Sequence, residues 1–297
     1  MEMHQVRYFL AVCETLNFTR AAERCNVSQP ALTRGIKTLE DELGGSLFNR
    51  ERNQTNLTEL GRLMLPHLQE VWEQQEQARQ RAKGFAQLKD APLRLGVMCS
   101  IGPTRLVPVV QSFHDRYPGI ELHLMDSKCG VLQEQLINGE LDVAIYALPE
   151  GIDERLHARP LFAERFMIIT APGHDFERQN AVRATDLHGR PYLSRAGCEY
   201  GPYMQSILET RGVKVTRIYR SDRDDWVQAM VLGGLGFGFF PEFSVALPGL
   251  VVRPLVEPAI ERNVNLVTVR GRPHTPALAA FVKELATHKF GQPRPSA

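Results

Sequence analysis

The chain has 297 residues, which suits two or three domains rather than one. Hydrophobic residues make up 43% and charged residues 23%, a balance that excludes a disordered chain. The formal net charge is only +1, so no global field points to nucleic acid, and any such role must rest on local features.

The opening stretch, MEMHQVRYFLAVCETL, begins with an acid at Glu2 and is broken by polar residues. It lacks the basic start and apolar run of a signal peptide, and no window approaches the roughly 20 apolar residues that span a bilayer, so the expected location is the cytoplasm. Met3, Val6, Phe9, Leu10 and Cys13 recur at helical spacing and predict an amphipathic helix over 4–15. A short second helix opens at Asn17-Phe18-Thr19, with Thr19 as its expected N-cap and the small residues Ala21, Ala22 and Cys25 allowing close packing. Asn26 ends it and Val27 sits in a tight turn. Ser28 then caps a third helix, Gln29 to Leu43, and Pro30 falls in its first turn, where a missing N–H costs nothing. Leu32, Ile36, Leu39 and Leu43 form its buried face, and Gly44-Gly45 stop it. Two helices joined by so short a turn make a helix-turn-helix, whose second helix would enter a major groove with its first residues at base edges.

The run AAERCNVSQPALTRGIKTLEDELGGSLFNR closely resembles the DNA-binding signature of the LysR family of transcriptional regulators. The following LFNRERNQTNLTELG resembles that family's wing and the start of its linker helix. The resemblance implies a regulator that binds double-stranded promoter DNA. Ser28, Gln29, Pro30 and Thr33 stand at the helix start, where the polar members can read base edges or phosphates. Arg34 and Lys37 lie one turn on and can reach backbone or guanine, and Arg50 and Arg52 on the wing would clamp phosphates. Any one of these alone is as easily a solvated surface side chain; the constellation carries the reading. The first sixty residues are not basic overall, so the acids Glu40, Asp41 and Glu42 must be turned away from DNA, and Asn53-Gln54 at the wing tip departs from the usual basic pattern.

Residues 59–88 are polar but periodic. Leu60, Leu63, Met64, Leu68, Val71, Trp72, Ala78, Ala82 and Phe85 form a narrow stripe near a seven-residue repeat, with Thr58 able to cap the start. Pro66 should kink or break this helix. A stripe so placed needs covering, either by a second copy of the chain or by the chain's own domains, and pairing is the expected solution.

Beyond Pro92, strands and helices alternate: LRLGVM, a helix over 102–116, YPGIELHLM, CGVLQEQLING and LDVAIY. A second lobe opens near Glu164 with RFMIITAP and runs through PYLS, a helix over 202–211, VTRIYR, a helix near 226–232 and GFGFFP. NVNLVTVR returns to the first lobe, a helix over 276–288 closes it, and the tail GQPRPSA is expected to be disordered. The alternation argues for a parallel α/β architecture. The stretches LRLGV, YPGIELHLM and INGELDVAIY resemble the LysR effector domain, a relative of periplasmic solute-binding proteins. The expected organisation is an all-α winged helix-turn-helix over 1–58, a linker helix over 59–90, and a two-lobed α/β effector domain over 91–297, with lobe I at 91–163 and 267–297 and lobe II at 164–266.

Ligands of two-lobed α/β folds sit outside strand C-termini, near free helix N–H groups. That places Cys99, Ser100, Cys129, Tyr146, Ser194 and Cys198 around one cleft, with a small anionic metabolite as the default effector and Arg195 able to help. The odd number of widely spaced cysteines argues against a disulfide framework and against zinc. Cys99, Cys129 and Cys198 can each be small packing residues. Alternatively SRAGCEY resembles the reactive loop of the family's peroxide-sensing branch, with Cys198 at the reactive position and its pKa lowered by a helix N-terminus and Arg195. No cysteine follows Cys198, so Cys129 or Cys99 would have to act as its resolving partner. GGLGFG near 233 lacks the context of a dinucleotide site, no cofactor is implied, and no nucleophile–base–orienter set or metal motif supports an enzyme. A solute-binding protein would not carry a helix-turn-helix. The resemblance further implies a homodimer or dimer of dimers, contact with RNA polymerase, and activation as the commoner behaviour, with the effector or cysteine oxidation shifting lobe closure.

Overall fold

A computed structural model describes residues 1–51, 54–89 and 91–290. The chain divides into two compact units, Met1–Ala86 and Gln87–Ala297.

The first unit is built from α1 (Met3–Thr15), α2 (Phe18–Cys25), α3 (Gln29–Leu43), the hairpin β1 (Phe48–Glu51) and β2 (Gln54–Leu57), and α4 (Glu59–Ala86). Its punctuation is local and chemical. Asn17, not Thr19, caps α2: its side chain accepts from the N–H groups of Thr19 and Arg20, and starting the helix two residues earlier puts Phe18 against Phe48. Ser28 Oγ accepts from Ala31 N–H at 3.4 Å, and Gly44, at φ 75°, ends α3 in the left-handed region. Val6, Phe9, Val12, Leu32, Ile36 and Leu39 are fully buried and hold the three helices together.

Thr58 Oγ1 accepts from Gly61 N–H at 3.0 Å and starts α4, which runs unbroken through Pro66. Pro66 lies on the exposed side, so the carbonyl it leaves unbonded faces water and the break does not occur. The predicted stripe splits in two. Leu60, Met64, Leu68 and Trp72 pack on the unit's own core, whereas Leu63, Val71 and Phe85 are exposed. No helix among the described residues is long and apolar enough to cross a membrane.

The second unit carries one ten-stranded sheet. In lobe I, β3 (Ala91–Met98) lies between β4 (Ile120–Ser127) and β5 (Val143–Tyr146), all parallel, with α5 (Val107–Arg116) and α6 (Cys129–Asn138) as crossovers. The long β6 (Leu156–Thr170) leaves lobe I and enters lobe II. There β7 (Val182–Arg183), β8 (Pro191–Arg195), α7 (Gly201–Thr210), β9 (Thr216–Ser221), α8 (Asp224–Leu232), β10 (Phe237–Pro241) and β11 (Val251–Val256) follow. The returning β12 (Glu261–Val269) and the closing α9 (Pro276–Thr287) complete the unit.

The sheet is mixed rather than parallel, because β6 and β12 run antiparallel to each other and to their neighbours β10 and β5. Two crossings between lobes by the same sheet demand that reversal. The first half of β6 escapes sequence reading, since His157, Arg159 and Pro160 interrupt its alternation. The helix expected from 102 starts only at Val107, after a tight turn over Pro103–Arg105.

Candidate functional site

Gln29, Thr33 and Lys37 follow one another at four-residue intervals and so share a face of α3, away from the buried Leu32, Ile36 and Leu39. Ser28, Gln29, Pro30, Arg34 and Lys37 are all exposed. Thr33 is half-buried, and its hydroxyl is buried with no hydrogen-bond partner among the described residues. Gly35 lets the helix lie close on α1: a Cβ there would stand 2.8 Å from the Tyr8 ring.

The acids at the far end of α3 have structural work. Glu40 Oε1 accepts from the N–H groups of Leu47 at 2.7 Å and Phe48 at 3.3 Å, tying the helix to the first wing strand. Glu42 pairs with the N-terminal amine. Glu40 and Glu42 are thus engaged, while Asp41 is exposed. In the hairpin, Arg50 lies opposite Thr55. Arg52 and Asn53 fall outside the described residues, as does the tail 291–297.

In the second unit the six expected cleft residues do not line one space. Ser100 is buried, its hydroxyl accepting from Arg262 Nη1 at 2.7 Å and its carbonyl from Nη2 at 2.8 Å. The same guanidinium meets Glu164 Oε1 at 2.9 and 2.7 Å, directly across the β6–β12 ladder, and both side chains are buried. Ser100's oxygens are therefore committed to the protein. Tyr146 is also buried, its hydroxyl 3.5 Å from Gln133 Nε2, and burial raises its pKa. Ser194 Oγ donates to the Tyr219 carbonyl at 3.3 Å.

Cys129 is the buried first residue of α6, and its N–H donates to Glu199 Oε1 at 3.2 Å across the lobes. Burial, with the Glu199 charge adding to it, pushes its thiol up to about 12. A second cross-lobe contact pairs Lys128 with Asp222 at 3.4 Å. Gly197 sits against that lysine at φ 73°, a left-handed backbone that favours glycine.

Arg195 is the centre that the sequence only hinted at. Its Nε pairs with Asp224, and its Nη2 reaches the Cys99 carbonyl at 3.4 Å and the Cys99 Sγ at 3.8 Å. Cys99 lies on the lobe I side of this guanidinium and Cys198 follows it on the lobe II side. Burial raises both thiols, and the Arg195 charge opposes but does not reverse that shift. The expected lowering at Cys198 is therefore corrected: desolvation outweighs the cation. Arg262 and Glu164 were missed outright. The available signal was a charge at a strand position that alternation places inside.

Three cavities adjoin these residues. One of about 560 Å³ lies between the lobes, with Cys99, Leu106 and Leu124 facing Gln228 and Leu247, and Asp126 and Asp224 at its polar end. Another, of about 920 Å³, opens between Gln133 of α6 and Glu199, Pro202 and Tyr203 at the start of α7. The third, of about 650 Å³, is lined by lobe II alone and includes Ser194, Arg195 and Cys198.

Comparison with known proteins bears on both units. Residues 3–62 match the model of the bacterial regulatory helix-turn-helix protein, lysR family, and residues 86–289 match that of the LysR substrate binding domain. The DNA-binding transcriptional dual regulator OxyR of Escherichia coli is 28% identical over 279 residues, 92% of this chain and 91% of that one. The hydrogen peroxide-inducible genes activator of Haemophilus influenzae is 28% identical over 280 residues, 92% of each chain. A solved full-length OxyR from Pseudomonas aeruginosa, a Cys-to-Asp variant, is 29% identical with a TM-score of 0.64, covering 96% of this chain and 99% of that one.

Proposed function

We propose, for a chain that belongs to the LysR family of DNA-binding transcriptional regulators, that α3 reads promoter DNA and that a small-molecule effector between the lobes sets the outcome. The chain is a LysR-type transcriptional regulator with a helix-turn-helix unit and an effector-binding domain. Its family is one of regulators rather than enzymes.

The observation that carries the DNA-reading proposal is the exposed start of α3. Ser28 and Gln29 are exposed there, Ser28 also capping the helix, and Glu40 and Glu42 are tied up in the wing and the N-terminus. Gln29 is suited to a bidentate contact with adenine, Arg34 to guanine, and Lys37 with Arg50 and Arg52 to phosphates. The unpaired Thr33 hydroxyl is suited to a phosphate or base acceptor. The exposed Leu63, Val71 and Phe85 of α4 support pairing with a second copy, which presents two recognition helices to a palindromic site. A dimer of dimers in the cytoplasm, in contact with RNA polymerase, completes the reading. Footprinting on the chain's own upstream DNA tests it: protection of a pseudo-palindrome, lost with Gln29→Ala, is the expected result, and no protected site defeats it.

For the effector, the 560 Å³ space between the lobes is within the range of ligand pockets and is mostly apolar. With Asp224 taken up by Arg195, Asp126 is the carboxylate left to meet a ligand, and it and the commitment of Ser100 to Arg262 favour an apolar ligand with a donor or cationic head there over a small anion. A second reading, thiol sensing at Cys198, is favoured by likeness to a regulator named for hydrogen peroxide. A peroxide-dependent footprint that vanishes in Cys198→Ser would establish it, and a footprint indifferent to peroxide would remove it.

A further inference from the structure

The lobe II cavity has a chemistry of its own. It lies between α7 and the β8–β9 edge, and lobe I contributes nothing to its lining. Met204 and Leu208 of α7, with Val213, make a buried apolar wall. Lys214, Arg217 and Arg220 line it from exposed positions, and among the described residues none of the three pairs with a carboxylate. Glu209, the carboxylate among the lining residues, accepts from Gln205 Nε2 at 2.8 Å.

Arg195 also borders the cavity, but its side chain is only 3% exposed and its guanidinium is turned to Asp224 and Cys99, so the three exposed cations are the ones that can meet a ligand.

We propose that this cavity is a second ligand site, for an amphipathic organic anion whose apolar body lies against α7 and whose acidic head meets Lys214, Arg217 and Arg220. The site is separate from the effector space between the lobes and does not depend on it. Its chemistry is the reverse: cations here, carboxylates there. Its wall also includes Cys198 and Gly201, which flank the Glu199 that holds the Cys129 N–H of lobe I, so occupancy acts beside a lobe contact.

The test uses the full-length protein and two probes that share one apolar body: anilinonaphthalene sulfonate, and phenylnaphthylamine, which lacks the sulfonate. Fluorescence titration should show saturable binding of the sulfonate. Replacing Arg217→Ala and Arg220→Ala together should weaken it about tenfold, the scale of two partly exposed charge contacts, and leave the neutral probe unchanged. Circular dichroism and thermal melting check that the double variant stays folded. Equal binding of the two probes, no saturable binding, or sulfonate binding indifferent to the two substitutions would each overturn the site.

Discussion

Replacing Glu164→Gln should cost the effector domain about 3–5 kcal/mol, because it leaves Arg262 charged and unexposed with no counter-charge. Arg262 donates two of its four hydrogen bonds to Glu164 Oε1 and two to Ser100, and Glu164 Oε2 also accepts from Phe243 N–H at 3.3 Å. The glutamine amide would place N–H donors among donors. By contrast, Ser100→Ala removes one hydrogen bond to a charged group and should cost about 1.5–3 kcal/mol. Joint replacement by apolar residues, Glu164→Leu with Arg262→Met, should recover most of the loss, since the desolvation of two ions disappears with the ions. The assay is equilibrium urea unfolding. The chain has two tryptophans, Trp72 in the first unit and Trp226 in the second, so a Trp72→Phe background lets Trp226 report the effector domain alone. A loss under about 1 kcal/mol for Glu164→Gln, or a double variant as damaged as the single, would refute the claim that uncompensated charge is the cause.

Gln29→Ala should weaken binding to a specific site far more than to non-specific DNA, and equal losses in the two titrations would remove its base-reading role. Arg50→Ala should weaken both and lower the salt slope by about 1; an unchanged slope takes it off the phosphate list. Because burial raises the Cys198 thiol, its alkylation by iodoacetamide near pH 7 should be slower than that of an exposed thiol and should climb as pH rises, followed by peptide mass spectrometry; a pH-independent rate contradicts the burial argument. The folded state holds the Cys129 proton more tightly than the unfolded chain does. Its contribution to stability is therefore intact below about 8.5, the unfolded thiol's range, and is lost as pH rises towards 12. Thermal melting of Cys129→Ala should show a shallower alkaline decline than the parent chain. Gly102→Ala should destabilise the effector domain by about 1–3 kcal/mol or more, because the added Cβ would fall 1.8 Å from the Phe243 carbonyl; a neutral melt would mean the two loops part without cost.

The first unit was legible because its signals are short-range. A cap reads the N–H groups two or three residues on, and a buried face repeats every three or four residues, so Ser28, Pro30 and Gly44 bound α3 without knowledge of anything distant. Even the miss at Asn17 was a matter of two residues, decided by which oxygen reaches the Thr19 and Arg20 N–H groups. The linker stripe was seen as one face, whereas packing assigns Leu68 to the chain's own core and leaves Leu63 in solvent. A sequence gives the stripe but not which neighbour arrives to cover each part of it.

The effector domain divides along the same line. Strand ends placed Cys99, Ser100, Cys129 and Cys198 near the lobe junction, since topology fixes strand ends. What those residues do there depends on partners far along the chain: Ser100 and Arg262 lie 162 residues apart, Glu164 and Arg262 lie 98, and Cys99 and Arg195 lie 96. In each case a buried guanidinium has claimed the polar atoms that strand-end reasoning offers to a ligand. A buried Arg must be satisfied before any effector is, because its unpaired N–H groups cost more than a ligand's lost contact. Every nitrogen of the Arg262 guanidinium has a partner. In Arg195 this does not hold: Nη1 is unpaired among the described residues, and the guanidinium stands between Asp224 and Cys99, which line the space between the lobes. The incomplete partner set at Arg195, more than the presence of any cysteine, marks where this domain has room to respond to a ligand.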